Sequence, residues 1–296
     1  MLKHLKAVIA FSIIPQYLLL KWISKYPQII ETYYSNGIYV YLSKLFRFTL
    51  GWLPFSFGDF VYTFAIIFMI RWFIKNFKVL KKNPKEWLLD VLSAVSIIYL
   101  AFHLFWGLNY YRLPLNQSLH LNSDYSTEQL ISVTKKLIAK SNEIHSKISN
   151  NDTLPINIPY SKSHILKTAS MGYDHLKEEF KHLKYHPKSI KKSLYSYPLT
   201  YMGFSGYLNP LTNEAQVDAL IPIYIFPTTA SHEIAHQLGY AAENEANFIG
   251  MLASVNNDDI YFKYSGYTFA LRHCLFEIYK RDEDLYFEIV ECHAGV

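Results

Sequence analysis

Hydrophobic and polar positions divide the chain near residue 108. Before it, apolar residues run in long stretches; after it, they recur at helical or strand spacing among polar ones. Residues 7–23 are apolar apart from Ser12, Gln16 and Lys21, and they follow the basic Lys3 and Lys6. No small-residue cleavage site comes after them, so the pattern predicts an uncleaved anchor. Residues 55–74 have Asp59 and Arg71 near their ends, and residues 91–108 have only Ser93, Ser96 and His103 as polar members. A helix of about 20 mostly apolar residues crosses a bilayer, so three membrane spans are predicted. In a fourth apolar stretch, near residues 38–52, Lys44 and Arg47 lie one turn apart, opposite Leu42, Leu45, Phe46 and Phe48. That pattern predicts an amphipathic helix lying in the interface.

Residues 109–125 read as a linker, since Pro114 stops the preceding helix and a polar run follows. Residues 126–296 then form a water-facing domain. Ser126 and Gln129 have the spacing of a capping box before Leu130, Val133, Leu137 and Ile138, which predicts a helix to about Ile148. A second helix is expected over 161–183 and a basic, solvated bend over 184–192. Short Tyr- and Phe-rich pieces broken by Gly and Pro over 194–225 predict strands and turns. Helices are expected from Thr228 or Thr229, from Glu243 to Val255, and from Asp259 to about Lys280.

Charge sharpens this division. Residues 1–107 hold 12 Lys/Arg against 4 Asp/Glu, and the remainder 17 against 20, so the overall +5 belongs to the apolar third. Basic residues spread over a folded face are missing, and no nucleic-acid partner is expected. Arg71, Lys75, Lys78, Lys81, Lys82 and Lys85 precede the first acid, Glu86, between the second and third spans. The positive-inside rule places that loop and the N-terminus inside, and everything past residue 108 outside. Two cysteines, Cys274 and Cys292, exclude a disulfide scaffold and a four-cysteine metal site; their pairing stays open.

The chemistry lies in His232-Glu233-Ile234-Ala235-His236. A spacing of four puts both imidazoles on one helix face, able to share one Zn2+, while Glu233 is placed to act as general base toward a water that the metal activates. A third ligand is supplied by Glu243 or Glu245, past a turn that Gly239 permits. These two acids point about 200° apart on a helix, so only one can face the metal. Glu243 is preferred because Asn247 follows it by one turn and can hydrogen-bond a ligand from behind, and because Ala246 leaves room for close packing. Residues 204–216 are read either as an edge strand that holds an extended peptide or as a structural hairpin. Tyr207, Tyr240 and His273 all remain open as oxyanion donors.

His-Glu-x-x-His followed by Glu-x-x-Ala-Asn resembles zinc metallopeptidases whose third ligand is a Glu on a second helix. The order of three spans, then residues 106–112, 206–216, 231–237 and 243–248, more closely resembles the DUF3810 family of Bacteroidetes membrane proteins. That resemblance implies His232, His236 and Glu243 as ligands of one Zn2+, Glu233 as catalytic base, and a further helical stretch beyond residues 294–296. The expected fold class is a mainly α membrane protein with three N-terminal transmembrane helices and a helical (α+β) zincin-like domain bearing a small sheet. The expected protein is an inner-membrane metallopeptidase with its domain in the periplasm, its partners being the lipid bilayer and a peptide or protein substrate. The alternative is a zinc-stabilised membrane scaffold without turnover.

Overall fold

The computed structural model describes residues 2–149, 151 and 154–292, and the chain divides into two units. Residues 1–113 and 209–214 form the first, 114–208 and 215–296 the second. The expected continuation past residues 294–296 and any pairing of the Cys292 side chain lie outside the described residues.

In the first unit, α1 (Leu2–Phe11) and α2 (Ile13–Ile23) form an apolar rod interrupted near Ser12, where Pro15 has no N–H to give the Phe11 carbonyl. The short α3 (Pro27–Ile29) continues through a wide-turned segment, Ile30–Ile38, into α4 (Tyr39–Leu50), and α5 (Phe57–Lys82) and α6 (Pro84–Phe105) follow. Three helical stretches, His4–Ile23, Phe57–Lys82 and Pro84–Phe105, are long and apolar enough to cross a membrane. They correspond to the three expected spans with shifted bounds. α5 continues into its basic tail because no breaker intervenes before Asn83, which caps α6 with Pro84 in the first turn. Ser12 and Ser96 hydroxyls lie 2.9 Å apart and Gln16 Nε2 donates to both, a polar contact between α6 and the first rod.

The structure corrects the reading of α4. Lys44 is exposed, but Arg47 is only 2% exposed, its Nε donating to the Ser43 carbonyl and hydroxyl. The buried face is Tyr39, Ser43 and Arg47, while Tyr41, Leu45 and Phe48 point outward. The helix is thus inverted, with a polar face inside and an apolar one outside. Its inner face meets the turn at 209–214: Ser43 Oγ donates to Asn213 Oδ1, and Asn213 Nδ2 donates to the Tyr39 hydroxyl, both at 2.8 Å. Glu214, fully buried, accepts from the Phe57 and Gly58 N–H groups at the start of α5. An anionic side chain at a helix N-terminus satisfies orphan donors and complements the helix dipole.

The expected linker also begins later. Gly107–Tyr111 forms a 3-10 turn, and Arg112 holds Glu31 through Nε and Nη2 at 2.8 and 2.7 Å, so the chain leaves the first unit after Leu113.

The second unit contains α7 (Leu115–Ser118), α8 (Thr127–Ile148), α9 (Lys162–Thr168), α10 (Ser170–Glu179), β1 (Ile190–Lys192), α11 (Ser196–Met202), β2 (Gly206–Asn209), β3 (Glu214–Val217), α12 (Phe226–Gln237), α13 (Glu243–Val255), α14 (Ile260–Arg281) and α15 (Glu283–Cys292). The Ser126–Gln129 capping box forms in both directions. The single helix expected over 161–183 is broken at the fully buried Ala169, and the basic bend ends in a strand whose Lys191 is buried. The sheet order is β1-β3-β2, with β1 parallel to β3 in the register Ile190↔Ala215 and Lys192↔Val217. β2 is therefore an edge. α12 runs through the core, where Phe226, Ala230, Ile234 and Ala235 meet Tyr173, Val217, Ile249, Ala253 and Phe262. It begins two residues before Thr228 because Pro227 suits the first helical turn. α8 and α14 share a second cluster around Leu130, Ile138, Leu271 and Ile278.

α10 crosses α13 at Gly172, where an added Cβ would collide with the Ala253 carbonyl oxygen. Gly172→Ala is expected to lower stability by about 1–3 kcal/mol, the usual cost of overpacking, read as a fall in the thermal midpoint of the purified chain.

Candidate metal centre

Nearly every residue of α12 is buried, and a helix buried all round must satisfy its polar side chains internally. Thr228 donates to Ser265 Oγ, Ser231 to the Pro227 carbonyl, and Gln237 Nε2 to the Ser189 carbonyl while its Oε1 accepts from the Tyr185 hydroxyl. Tyr173 adds a 2.6 Å hydrogen bond to the Ser231 carbonyl. These contacts fix the rotation of the helix and so the direction of His232, Glu233 and His236.

The two imidazoles stand at 90° with ring centroids 4.6 Å apart. After α12 the backbone turns at Gly239, whose φ of 92° suits glycine, and the Tyr240 carbonyl returns to His236 Nδ1 at 2.7 Å. A carbonyl only accepts, so Nδ1 carries a proton and Nε2 is the nitrogen turned toward Glu243. The same turn starts α13 at Glu243, whose carboxylate lies 3.3 Å from His232 Nε2 and 3.5 Å from His236 Nε2. One ligand atom from each of the three residues lies within 4.8 Å of the others. His232 and His236 side chains are 12% and 7% exposed, whereas Glu243 is 75% exposed, so the cluster opens on the carboxylate side.

The electrostatics follow from this packing. Hydrogen bonds from both imidazoles hold the Glu243 carboxyl well below the usual range. Burial opposes a charge on His236, but Glu243, Glu233 and the Tyr240 carbonyl outweigh it and raise its pKa. Burial raises that of Glu233, against the nearby imidazoles. Glu233 is 3% exposed, and among the described residues its Oε2 has no hydrogen-bond partner.

The family described as Protein of unknown function (DUF3810) matches residues 34–295. The chain belongs to the DUF3810 family. No curated protein matches it, and neither does any solved structure. The DUF3810 match takes in both units, so the cluster and two of the three apolar helices lie within it.

Within this DUF3810 chain the two acids separate. Glu245 is turned away and buried, with Oε1 accepting from the Leu115 N–H at 2.7 Å, while Glu243 joins the histidines. Asn247 is half-buried and makes no hydrogen bond among the described residues; the outer partner of the cluster is the Tyr240 carbonyl, from the turn, in place of a side chain one helical turn on. Among the open donor candidates, the Tyr240 side chain is buried in the core, Tyr207 lies half-buried on β2, and His273 lies on α14 with its charged form disfavoured by burial, Arg272 and His232.

Two glycines escaped the sequence reading. A Cβ at Gly250 would stand 2.7 Å from the His232 backbone, so only glycine lets α13 lie this close to α12. A Cβ at Gly206 would stand 2.6 Å from Glu233 Oε1, which places edge strand β2 beside that carboxyl. A glycine inside a helical pattern was the available signal at 250.

The acids should respond differently to truncation. Glu245→Ala leaves the Leu115 N–H without its acceptor and should destabilise the fold by about 1–3 kcal/mol, whereas Glu243→Ala should leave the thermal midpoint of the metal-free chain nearly unchanged. Thermal unfolding of both variants, prepared with chelator, checks this.

Proposed function

We propose that this protein is a membrane-anchored zinc-dependent metallohydrolase, a metallopeptidase with peptide or protein substrates, held in an inner membrane with its second unit on the periplasmic side. One observation carries the reading: two imidazole nitrogens and a carboxylate converge beside a buried carboxyl that has an oxygen without a partner. The donor set fits zinc, which favours His and carboxylate ligands, three from the protein and an open position in catalytic sites. His232, His236 and Glu243 would hold the ion, and the exposure of Glu243 favours an open site over a closed structural one. Bound zinc supplies Lewis acidity toward a carbonyl and makes water a better proton donor.

The rest is done by the chain. Burial makes the Glu233 carboxylate a stronger base than in water, and its unpartnered Oε2 is the atom to take a proton from attacking water and pass it to the leaving amine. The Tyr240 carbonyl keeps His236 in the tautomer that directs Nε2 inward. β2, an edge beside Glu233, suits an extended peptide added by backbone hydrogen bonds, and Gly206 keeps the approach clear. The apolar helices and the basic run 71–85 support membrane anchorage with that run inside.

Metal analysis of the detergent-purified protein should give about one zinc per chain, lost in His236→Ala and in Glu243→Ala but kept in Glu245→Ala. Glu233→Gln should keep the metal and lower peptide hydrolysis by about 10²–10⁴-fold. Hydrolysis unchanged in the zinc-loaded Glu233→Gln protein rejects the mechanism; zinc whose removal unfolds the second unit, with no turnover, favours the scaffold alternative.

A further inference from the structure

A cavity of about 640 Å3 lies along α14, walled by Tyr224 and Ile225 before α12, by Tyr264, Phe269 and Phe276 on α14, and by Tyr286 on α15. Among the described residues no acid lines it, and Arg272 is its one charged member. The guanidinium sits over the Phe269 ring, 5.4 Å from the centroid, and among the described residues pairs with no acid. A cation on an aromatic face at the edge of an apolar, acid-free cavity complements an anion that carries an apolar body.

The lining decides between a hydrocarbon tail and a peptide. Its backbone N–H groups on α14 are engaged within the helix, the Ile225 N–H donates to the Pro222 carbonyl, and the Thr268 hydroxyl donates to the Tyr264 carbonyl. The Tyr279 hydroxyl donates to Glu283. Among the described lining residues only the Tyr224, Tyr264 and Tyr286 hydroxyls and Arg272 remain open, so a peptide buried there would leave most of its amides without partners, at about 1–3 kcal/mol each, whereas an alkyl chain has none to satisfy. The volume falls within the roughly 300–1,000 Å3 of single small-ligand sites.

The geometry points to a binding site for a single-chain amphiphilic carboxylate, a free fatty acid, with its tail between α14, α15 and residues 224–225 and its carboxylate on Arg272. The site does not depend on the metal centre being catalytic.

Photolabelling of the full chain in nanodiscs with a diazirine-bearing fatty acid, mapped by mass spectrometry, tests it. Labels should fall on residues 224–225 and 264–286 and be competed about tenfold better by unlabelled fatty acid than by the matching fatty alcohol. Arg272→Gln should abolish that difference, and Thr268→Trp, which fills the cavity, should remove the labels. The proposal is overturned by labels confined to the apolar helices of the first unit, by equal competition from the alcohol, or by labels that survive Thr268→Trp. More effective competition by a diacyl phosphatidic acid or by an apolar peptide would assign the cavity to membrane lipid or to substrate and equally overturn it.

Discussion

The candidate centre depends on how closely α13 can lie against α12. Helix axes usually pack 8–10 Å apart, with side chains setting the separation, and at Gly250 there is no side chain to set it. That contact places the backbone of His232 directly against α13, and the turn at Gly239 is short enough to deliver Glu243 to the two imidazoles. A larger residue at 250 would move the carboxylate away from both nitrogens without altering any of the three clustered side chains.

The second requirement is that α12 not rotate. Its polar side chains are tied to α14, to the segment around Ser189 and to its own first turn, and Tyr173 reaches across from α10. Among its described side-chain polar atoms, Glu233 Oε2 is buried without a partner. An unsatisfied acceptor in the middle of an otherwise saturated helix is costly to keep, and such exceptions concentrate where chemistry needs a group left open. The surrounding hydrogen bonds therefore hold an unsatisfied carboxylate oxygen in place.

Much of this was legible in the sequence because it rests on local rules. Three apolar runs gave three helices long enough to span, and the four-residue spacing gave two imidazoles on one face. The capping box at Ser126 formed as read. What failed was non-local. Arg47 looked like part of a wet stripe because the polar face it shares with Tyr39 and Ser43 is met by Asn213, 170 positions past Ser43. The same distance hid the role of Glu214, which reads as an ordinary strand acid and is a helix cap. Asn247, one turn past Glu243, makes no hydrogen bond among the described residues, while the backbone of the turn holds His236. Residues 204–216 were open between an edge strand and a hairpin, and the order β1-β3-β2 makes β2 an edge beside β3.

The inverted α4 also bears on the order in which the protein can assemble. Its polar face and the first N–H groups of α5 are completed by Asn213 and Glu214, which are synthesised long after the apolar helices themselves. Domains emerging from the ribosome generally fold as units, N-terminal first. Here Ser43, Tyr39 and the start of α5 lack these partners until residues 213 and 214 have been made. The turn at 209–214 is then the last piece of the first unit, inserted from within the second.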